Sequence, residues 1–186
     1  MRPLDVALLV AIVLLLGLFF TYNRFVRSRL RTLEAWSGID VQLKRRADLV
    51  PNLVETVKGY AAHERSTLEA VVQARAAVQQ ASGPAASAEA NAQLTRALTR
   101  LLALAEAYPA LRAAENFLEL QSELLDLEEK IAYARQFYNR NVLHYNTCIH
   151  SFPQMLVAGL FGFEPFEFFE AEEPARTPAP VKFEES

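Results

Sequence analysis

The first part of the chain is an almost unbroken run of apolar residues. Residues 4–22 contain one charged side chain, Asp5, at the edge of the run. At about 1.5 Å per residue, a helix of this length spans roughly 28 Å, close to the hydrocarbon thickness of a bilayer. The run is longer than the apolar core of a signal peptide and ends without a small-x-small cleavage site. We therefore predict an uncleaved transmembrane anchor over residues 4–22, after a short tail at residues 1–3.

Beyond this run, apolar residues recur every three or four positions, which is the period of helices that pack side by side. In the first such segment, one heptad position is filled by Leu43, Val50, Val57, Val71 and Val78. A stripe of this length excludes strands and favours a bundle or coiled coil. It stops where Gly83 and Pro84 form a strong turn signal. The pattern predicts a first helix over about residues 24–80.

Two further helical segments follow this turn. The second covers about residues 88–107, and Pro109 ends it. The third covers about residues 110–151, and Pro153 stops it. Its stripe has strict seven-residue spacing: Phe117, Leu124, Ile131, Tyr138 and Tyr145. Because short connections favour antiparallel neighbours, the sequence predicts an all-α fold. An N-terminal transmembrane helix precedes a long antiparallel helical bundle over residues 23–153, with three main helices and a short C-terminal segment.

A proline lies inside the first predicted helix. Pro51 has no N–H for the carbonyl of Ala47, so we expect a kink or a helix restart there. Asp48 and Asn52 are short polar side chains that can satisfy the freed backbone groups. One interpretation is a bend that lets the helix follow its partners, and another is a true helix start. The third is a notch, at which Pro51, Asn52 and Arg46 contact a partner or ligand.

Polar side chains interrupt the packing faces at heptad spacing. They are Gln121, Glu128 and Arg135 on the third predicted helix, and Arg46, Glu64 and Arg75 on the first. Charges in such positions are unfavourable unless paired, and their best-attested use is to fix helix register. Two interpretations stay open. The charges form partly buried interhelical pairs, or they line a solvated flank on which each exposed pair contributes under about 1 kcal/mol.

The third predicted helix also repeats a Tyr-Asn pair one heptad apart. Tyr138-Asn139 and Tyr145-Asn146 share this spacing. The repeat places two tyrosines on one seam and two amides beside it. We expect core packing with satisfied hydroxyl groups.

The residues that carry chemistry form no recognisable active site. The three histidines, His63, His144 and His150, lack the Glu-x-x-His spacing of metal-binding bundles. His144 and Cys148 share a helix face, but two ligands do not make a structural zinc site. The sequence has no Gly-rich phosphate loop and no G-x-S-x-G elbow. We therefore expect no catalytic residue, no cofactor and no metal, and a protein that is not an enzyme.

The C-terminal part divides into an aromatic segment and a polar tail. Residues 154–170 are too short and too acidic to span a membrane. Their aromatic patch consists of Phe161, Phe163, Phe166, Phe168 and Phe169. The patch docks on the bundle, covers the membrane-proximal surface or contacts another protomer, and docking within the chain is our default expectation. Residues 171–186 are rich in Pro and Glu, and we expect them to be disordered.

The distribution of charge predicts a membrane topology and argues against nucleic acid as a partner. The formal net charge of −3 gives no basic field that would attract nucleic acid. One arginine precedes the apolar run, whereas four follow it closely: Arg24, Arg27, Arg29 and Arg31. The positive-inside rule then predicts an external N-terminus and a cytoplasmic bundle. The alternative topology places the bundle outside the cytoplasm.

Several separate blocks of sequence resemble the LemA family of bacterial membrane proteins. They are "AWSGIDVQLKRRADLVPNLVETVKGYAAHE", "YPALRAAENFLELQSEL", "IAYARQFYNRNVLHYN" and a closing "FP…GF…FFE". The resemblance covers roughly residues 20–170. It implies one N-terminal transmembrane helix, a LemA-like long-helix bundle and a place in the bacterial inner membrane. It implies no catalytic function. Family members are often encoded near membrane proteins with a TPM domain or membrane zinc proteases, which suggests an envelope complex.

Three functional hypotheses follow, and the least favoured is an unrecognised hydrolase or metal enzyme that works through His63, Glu64 and His144. The first is a non-catalytic, membrane-anchored scaffold or adaptor of the bacterial envelope, which forms homo-oligomers or binds an envelope protein. Its contacts would involve Arg46, Pro51, Asn52 and the aromatic patch. The second is an extracytoplasmic sensor or ligand-binding domain that uses the notch at Pro51.

Overall fold

A computed structural model describes residues 2–170 of the chain. Within that range the fold is all-α and contains no strand, as the sequence predicts. Its helices are α1 (Pro3–Lys58), α2 (Arg65–Gln80), α3 (Pro84–Ala105), α4 (Pro109–Arg112), α5 (Glu115–His150) and α6 (Gln154–Phe161). An extended segment over residues 163–170 follows α6. The tail at residues 171–186 lies outside the described residues.

The apolar run and the first bundle helix form one continuous helix. α1 has 56 residues, and its most apolar 18-residue window has a mean hydropathy of 2.7 and is 0% buried. Apolar side chains that contact nothing in their own fold require a non-aqueous environment. α1 therefore supplies a candidate transmembrane helix that continues directly into the bundle.

The predicted helix over residues 24–80 is wrong as a single helix. α1 continues through Pro51 and ends at Lys58, and after a six-residue connection α2 packs back against α1. Val57 and Val71 are both fully buried, but in different helices. Val57 and Val71 are two heptads apart in the sequence, so they keep the same heptad position although a non-helical connection lies between them. The helix restart expected at Pro51 does not occur.

The other predicted helix bounds shift by a few residues. α3 begins at Pro84, since a proline fits the first turn of a helix, where its missing N–H is not needed. α5 begins at Glu115, after the short helix α4. The residues between them, counted by the sequence pattern as the start of the third helix, turn the chain from α3 into α5.

The core has two regions along the length of α1. The distal core lies beyond the Arg46 position and is built from side chains of α1 to α5, including Leu53, Leu94, Leu98, Leu101 and Leu111. The proximal core lies nearer the anchor and is built mainly from α1, α5 and the C-terminal residues, including Phe25, Ile39, Tyr138, Tyr145 and Phe169. The C-terminal end of α5 packs beside Phe25, so α5 runs antiparallel to α1 and ends near the membrane.

Candidate interaction surfaces

Arg46 joins three helices at the boundary between the two cores. Its Nη1 donates to Asn91 Oδ1 at 2.8 Å and to Thr95 Oγ1 at 2.9 Å, both on α3. Its Nη2 pairs with Glu128 Oε1 on α5 at 2.5 Å. Arg46 is 3% exposed, so it contacts helices of its own chain. Of the two interpretations left open for the polar heptad positions, the partly buried interhelical pair is the one observed for Arg46 and Glu128.

Burial has the largest effect on the pKa of Arg46. Burial lowers the pKa of the Arg46 guanidinium, while the nearby Glu128 carboxylate opposes that shift. Within residues 2–170, the Nε atom of Arg46 has no hydrogen-bond partner. Because an unpaired buried charge is strongly unfavourable, Glu128 is the group that makes this arginine tolerable. These contacts, here called the Arg46 junction, link α1 to α3 and to α5.

The carbonyl that Pro51 leaves free has a partner inside the chain. Arg75 of α2 donates from its Nε to the carbonyl oxygen of Ala47 at 2.8 Å. This contact replaces the missing intrahelical bond, so α1 continues through the proline. Pro51 and Asn52 are exposed on α1. A partner contact at these two residues stays a prediction, with the freed carbonyl already satisfied.

The extended residues 163–170, here called the strap, are held to α5 by two asparagines. Asn146 accepts from the Phe166 N–H at 2.9 Å and donates to the Phe166 carbonyl at 2.9 Å. Asn139 accepts from the Phe169 N–H at 2.9 Å and donates to the Phe169 carbonyl at 3.2 Å. Each side-chain amide thus pairs with one backbone residue as a neighbouring strand would. The strap runs antiparallel to α5.

The spacing of these asparagines matches an extended chain. Seven residues of helix advance by about 10.5 Å, and three residues of strand advance by about 10 Å. The Asn139–Asn146 interval on α5 therefore fits the Phe166–Phe169 interval on the strap. The Tyr-Asn repeat is visible in the sequence, but its role in holding the strap was not predicted from it. The available signal was that seven residues of helix and three residues of strand have nearly the same length, about 10 Å.

The two tyrosines of the repeat are buried on the seam, as predicted. Tyr138 and Tyr145 are each 1% exposed. The Tyr138 hydroxyl donates to the Glu167 carbonyl of the strap at 2.8 Å. Burial, with a smaller contribution from the Glu167 carboxylate, raises the pKa of Tyr138 to about 12. Burial also raises the pKa of Tyr145.

The five phenylalanines of the aromatic patch separate into inward and outward groups. Phe169 is buried, and Phe163 and Phe166 are half-buried against the proximal core. Phe161 and Phe168 remain exposed. The Phe161 ring contacts Tyr22 edge-on at 4.9 Å between centroids. Three of the five phenylalanines therefore dock on the bundle of their own chain. A contact of Phe161 and Phe168 with a partner stays a prediction.

An open groove of about 1010 Å³ lies between α1 and α5. We call it the α1–α5 groove. Its wall residues include Arg31, Glu34, Gly38 and Gln42 of α1 and Asp126, Lys130, Tyr133 and Phe137 of α5. Tyr133 is 74% exposed and Phe137 is 47% exposed. Neither α2 nor α3 contributes to this wall. The groove is therefore an open face of the proximal region.

The histidine and cysteine residues form no metal centre in the described part of the chain. No group of three or more His, Cys, Asp or Glu side chains converges among residues 2–170. Cys148 Sγ lies 3.8 Å from His144 Nε2 and 3.6 Å from Arg24 Nη2. His150 contacts the Asn146 carbonyl within its own helix. The contact between Arg24 and Cys148 joins the C-terminal end of α5 to the part of α1 that follows the apolar run.

Comparison with known proteins connects this architecture to a family. The chain is 27% identical to the magnetosome protein MamQ of Magnetospirillum gryphiswaldense, over 94% of this chain and 74% of that protein. It is 26% identical to MamQ 2 and to MamQ 1 of Paramagnetospirillum magneticum, over 97% of this chain and 76% of each relative. The model of the LemA family matches residues 35–183, which is well over half of the sequence. This chain is therefore a membrane-associated protein that belongs to the LemA family.

Proposed function

We propose that the protein is a non-catalytic, membrane-anchored helical scaffold that self-associates through the α1–α5 groove. The observation that carries the proposal is an open face that combines exposed aromatic side chains with charges of both signs. Tyr133 and Phe137 supply apolar contact area, Arg31 and Lys130 supply positive charge, and Glu34 lies with them. Aromatic residues and arginine are enriched at protein interfaces.

The mixture of charges favours a second copy as the occupant. A symmetric dimer brings the same patch of both subunits together, so the patch must complement itself. The groove carries Arg31 and Lys130 beside Glu34, Asp126 and Glu129. A twofold axis along the membrane normal then allows unlike charges of the two grooves to pair.

The anchor strengthens this argument. A transmembrane helix holds every copy at the same depth and in the same orientation, which raises the effective concentration of one groove near another. α1 is continuous from the apolar run into the groove, so no flexible linker separates the two. Even a weak contact between grooves then produces dimers in the bilayer.

Dilution of the full-length protein in mild detergent tests the proposal. Sedimentation should show dimers that dissociate on dilution. Tyr133→Asp should weaken the dimer at least tenfold, because it introduces a charge into the aromatic wall. Leu125→Asp is the matched control, since Leu125 is 61% exposed on α5 but outside the groove. A protein that is monomeric at every concentration, or that loses dimers only with Leu125→Asp, would contradict the proposal.

A second function has its own supporting observation. Within residues 2–170, the buried Oε1 atom of Gln42 has no hydrogen-bond partner, and Gln42 lines the groove. An amide beside the aromatic wall of a groove would suit a small ligand that offers a hydrogen-bond donor, as in the sensor hypothesis. Native mass spectrometry of freshly purified protein should then detect a bound small molecule that Gln42→Leu loses. Absence of any adduct on the wild-type protein would exclude this function in favour of the scaffold.

Topology separates the two proposals further. The four arginines after the apolar run support a cytoplasmic bundle in the bacterial inner membrane. A C-terminal alkaline phosphatase fusion should therefore be inactive. An active fusion would place the bundle outside the cytoplasm and favour the sensor.

A further inference from the structure

The short helix α6 presents an apolar face to its surroundings. Phe152 is 79% exposed, Leu156 is 65% exposed and Leu160 is 73% exposed. Met155 is also exposed, at 50%. Met155, Leu156 and Leu160 lie within α6, and Phe152 lies in the turn that precedes it. α6 itself contains no charged residue.

The other face of α6 is already occupied by the bundle. Ala158 is 4% exposed, and it packs in one cluster with Phe25, Tyr145 and Ile149, with Val157 beside them. α6 therefore has apolar side chains on both faces, and its inner face fixes it to α1 and α5. A surface helix in water normally presents polar side chains outward. The outward face of α6 is suited to a non-aqueous environment.

α6 lies at the level where the apolar run ends. Phe161 contacts Tyr22 at 4.9 Å between ring centroids, and Phe163 contacts Tyr22 at 5.7 Å. Tyr22 closes the apolar run, at the depth where tyrosine side chains meet lipid headgroups. The exposed face of α6 is thus continuous with the surface that the anchor buries in the bilayer.

Exposed arginines surround this level. Arg24, Arg27, Arg29 and Arg31 follow Tyr22 and are all exposed. Arg27 lies about 7.5 Å along the helix from Tyr22, within reach of phosphate groups. Glu164 is an exposed acid nearby, so the local balance remains positive. Apolar side chains below a ring of cations are the arrangement of helices that lie in a membrane interface.

We propose that α6 and the preceding turn form a membrane-interface foot, in which Phe152, Met155, Leu156 and Leu160 insert into the boundary between lipid headgroups and acyl chains beside the anchor. The bundle then contacts the bilayer at two places, so it is held at a fixed tilt and does not swivel freely on a single helix. The inference is independent of what the α1–α5 groove binds.

Fluorescence of the full-length protein in nanodiscs of phosphatidylcholine and phosphatidylglycerol tests the foot. In a Trp36→Phe background, Leu156→Trp and Leu160→Trp each place a single indole on the outward face. Their emission should shift to the blue and be quenched at least twofold by lipids brominated near the headgroup. Leu125→Trp on the exposed side of α5 should remain red-shifted and unquenched, and Phe19→Trp in the anchor should be quenched by deeply brominated lipids.

Other outcomes would overturn the foot. Red-shifted, unquenched emission at both α6 positions, with Phe19→Trp still quenched, means that α6 faces water. A second copy covers α6 if the emission is blue-shifted but is not quenched by brominated lipid. In that case the blue shift should be lost when the protein is diluted to one copy per nanodisc. The indole positions are exposed, whereas Trp36 is half-buried against the proximal core, so each variant is compared with the Trp36→Phe parent. All of them should keep the helical circular dichroism of that parent, which confirms that the fold is intact.

Discussion

The distal and proximal regions of the bundle solve the same packing problem differently. The distal core is formed by several helices and is rich in Leu, Val and Ala. The proximal core is formed mainly by α1 and α5 and depends on Phe25, Tyr138, Tyr145 and Phe169. Two helices cannot enclose a core alone, so large aromatic side chains and the strap cover one side. The other side stays open as the α1–α5 groove.

This difference indicates where the protein meets other molecules. In the distal region, the helices bury each other's apolar stripes and leave small surface grooves between α1, α2 and α3. In the proximal region, α1 and α5 leave Tyr133, Phe137 and the outward face of α6 exposed near the membrane. The distal region therefore contains most of the buried core, and the proximal region is the one to which we assign the proposed contact surfaces.

The largest expected effect is in the distal core. Leu101 is 0% exposed, so Leu101→Ala should lower the free energy of unfolding by about 3 kcal/mol, through lost burial and a residual cavity. Leu125→Ala, at a 61% exposed position, should change it by less than about 0.5 kcal/mol. Urea denaturation in detergent, followed by circular dichroism, measures both. Equal effects of the two substitutions would contradict the assignment of the distal region as the stabilising core.

The next effect concerns the boundary at Arg46. Glu128→Ala should lower stability by about 2 kcal/mol, because it leaves the buried guanidinium without its counter-charge. This is below the usual loss for a fully buried pair, since the Glu128 side chain is 39% exposed. The double variant Arg46→Met with Glu128→Leu should recover most of that loss. A double variant less stable than Glu128→Ala would contradict this expectation and show that the Arg46 junction contributes net stability that apolar side chains do not replace.

A smaller and more local effect is expected at the strap. Asn139→Ala and Asn146→Ala each remove two hydrogen bonds, which together contribute about 1–2 kcal/mol. Amide hydrogen exchange of residues 163–170 should rise about tenfold, whereas α3 should be unchanged. Asn141→Ala is the matched control, because Asn141 donates to Phe137 of its own helix at 2.8 Å and makes no hydrogen bond to residues 163–170. An unchanged exchange rate in the strap would show that its aromatic side chains alone hold it.

The smallest effect is a pH dependence of the same contact. Folding raises the pKa of Tyr138 from 10.0 to about 12, so the folded state holds the hydroxyl proton more tightly than the unfolded state. The stabilisation is complete below pH 10, declines as the pH rises between these two values and is lost above about pH 12. Strap exchange should therefore accelerate over this interval after correction for intrinsic rates. Tyr138→Phe should abolish the pH-dependent part, and Tyr133→Phe should preserve it.

The sequence predicted those features that follow from local pattern. The apolar run, the seven-residue stripe of α5 and the burial of Tyr138 and Tyr145 all depend on residues within one helix. Most features that depend on contacts between distant residues were missed, although interhelical pairing of Arg46 and Glu128 was one of the interpretations considered. Arg75 and Ala47 are 28 residues apart in sequence, and that contact keeps α1 helical through Pro51.

The break between α1 and α2 was missed for a related reason. The connection contains Tyr60, Ala61 and Ala62, which are compatible with a helix, and Gly59 is its one strong signal. Ala61 is 2% exposed in the distal core, so tertiary packing decides the turn. The α1–α5 groove could not be predicted either, because an open face is defined by which helices do not cover it.

Photo-crosslinking in native membranes tests the central claim most directly, that the open proximal face is where copies of the protein meet. A benzophenone side chain at Tyr133 samples the groove, and one at Val72, which is 49% exposed on α2, samples the distal region. The account predicts a crosslinked dimer from position 133 and none from position 72. A dimer from position 72 alone, or no dimer from either position, would contradict it.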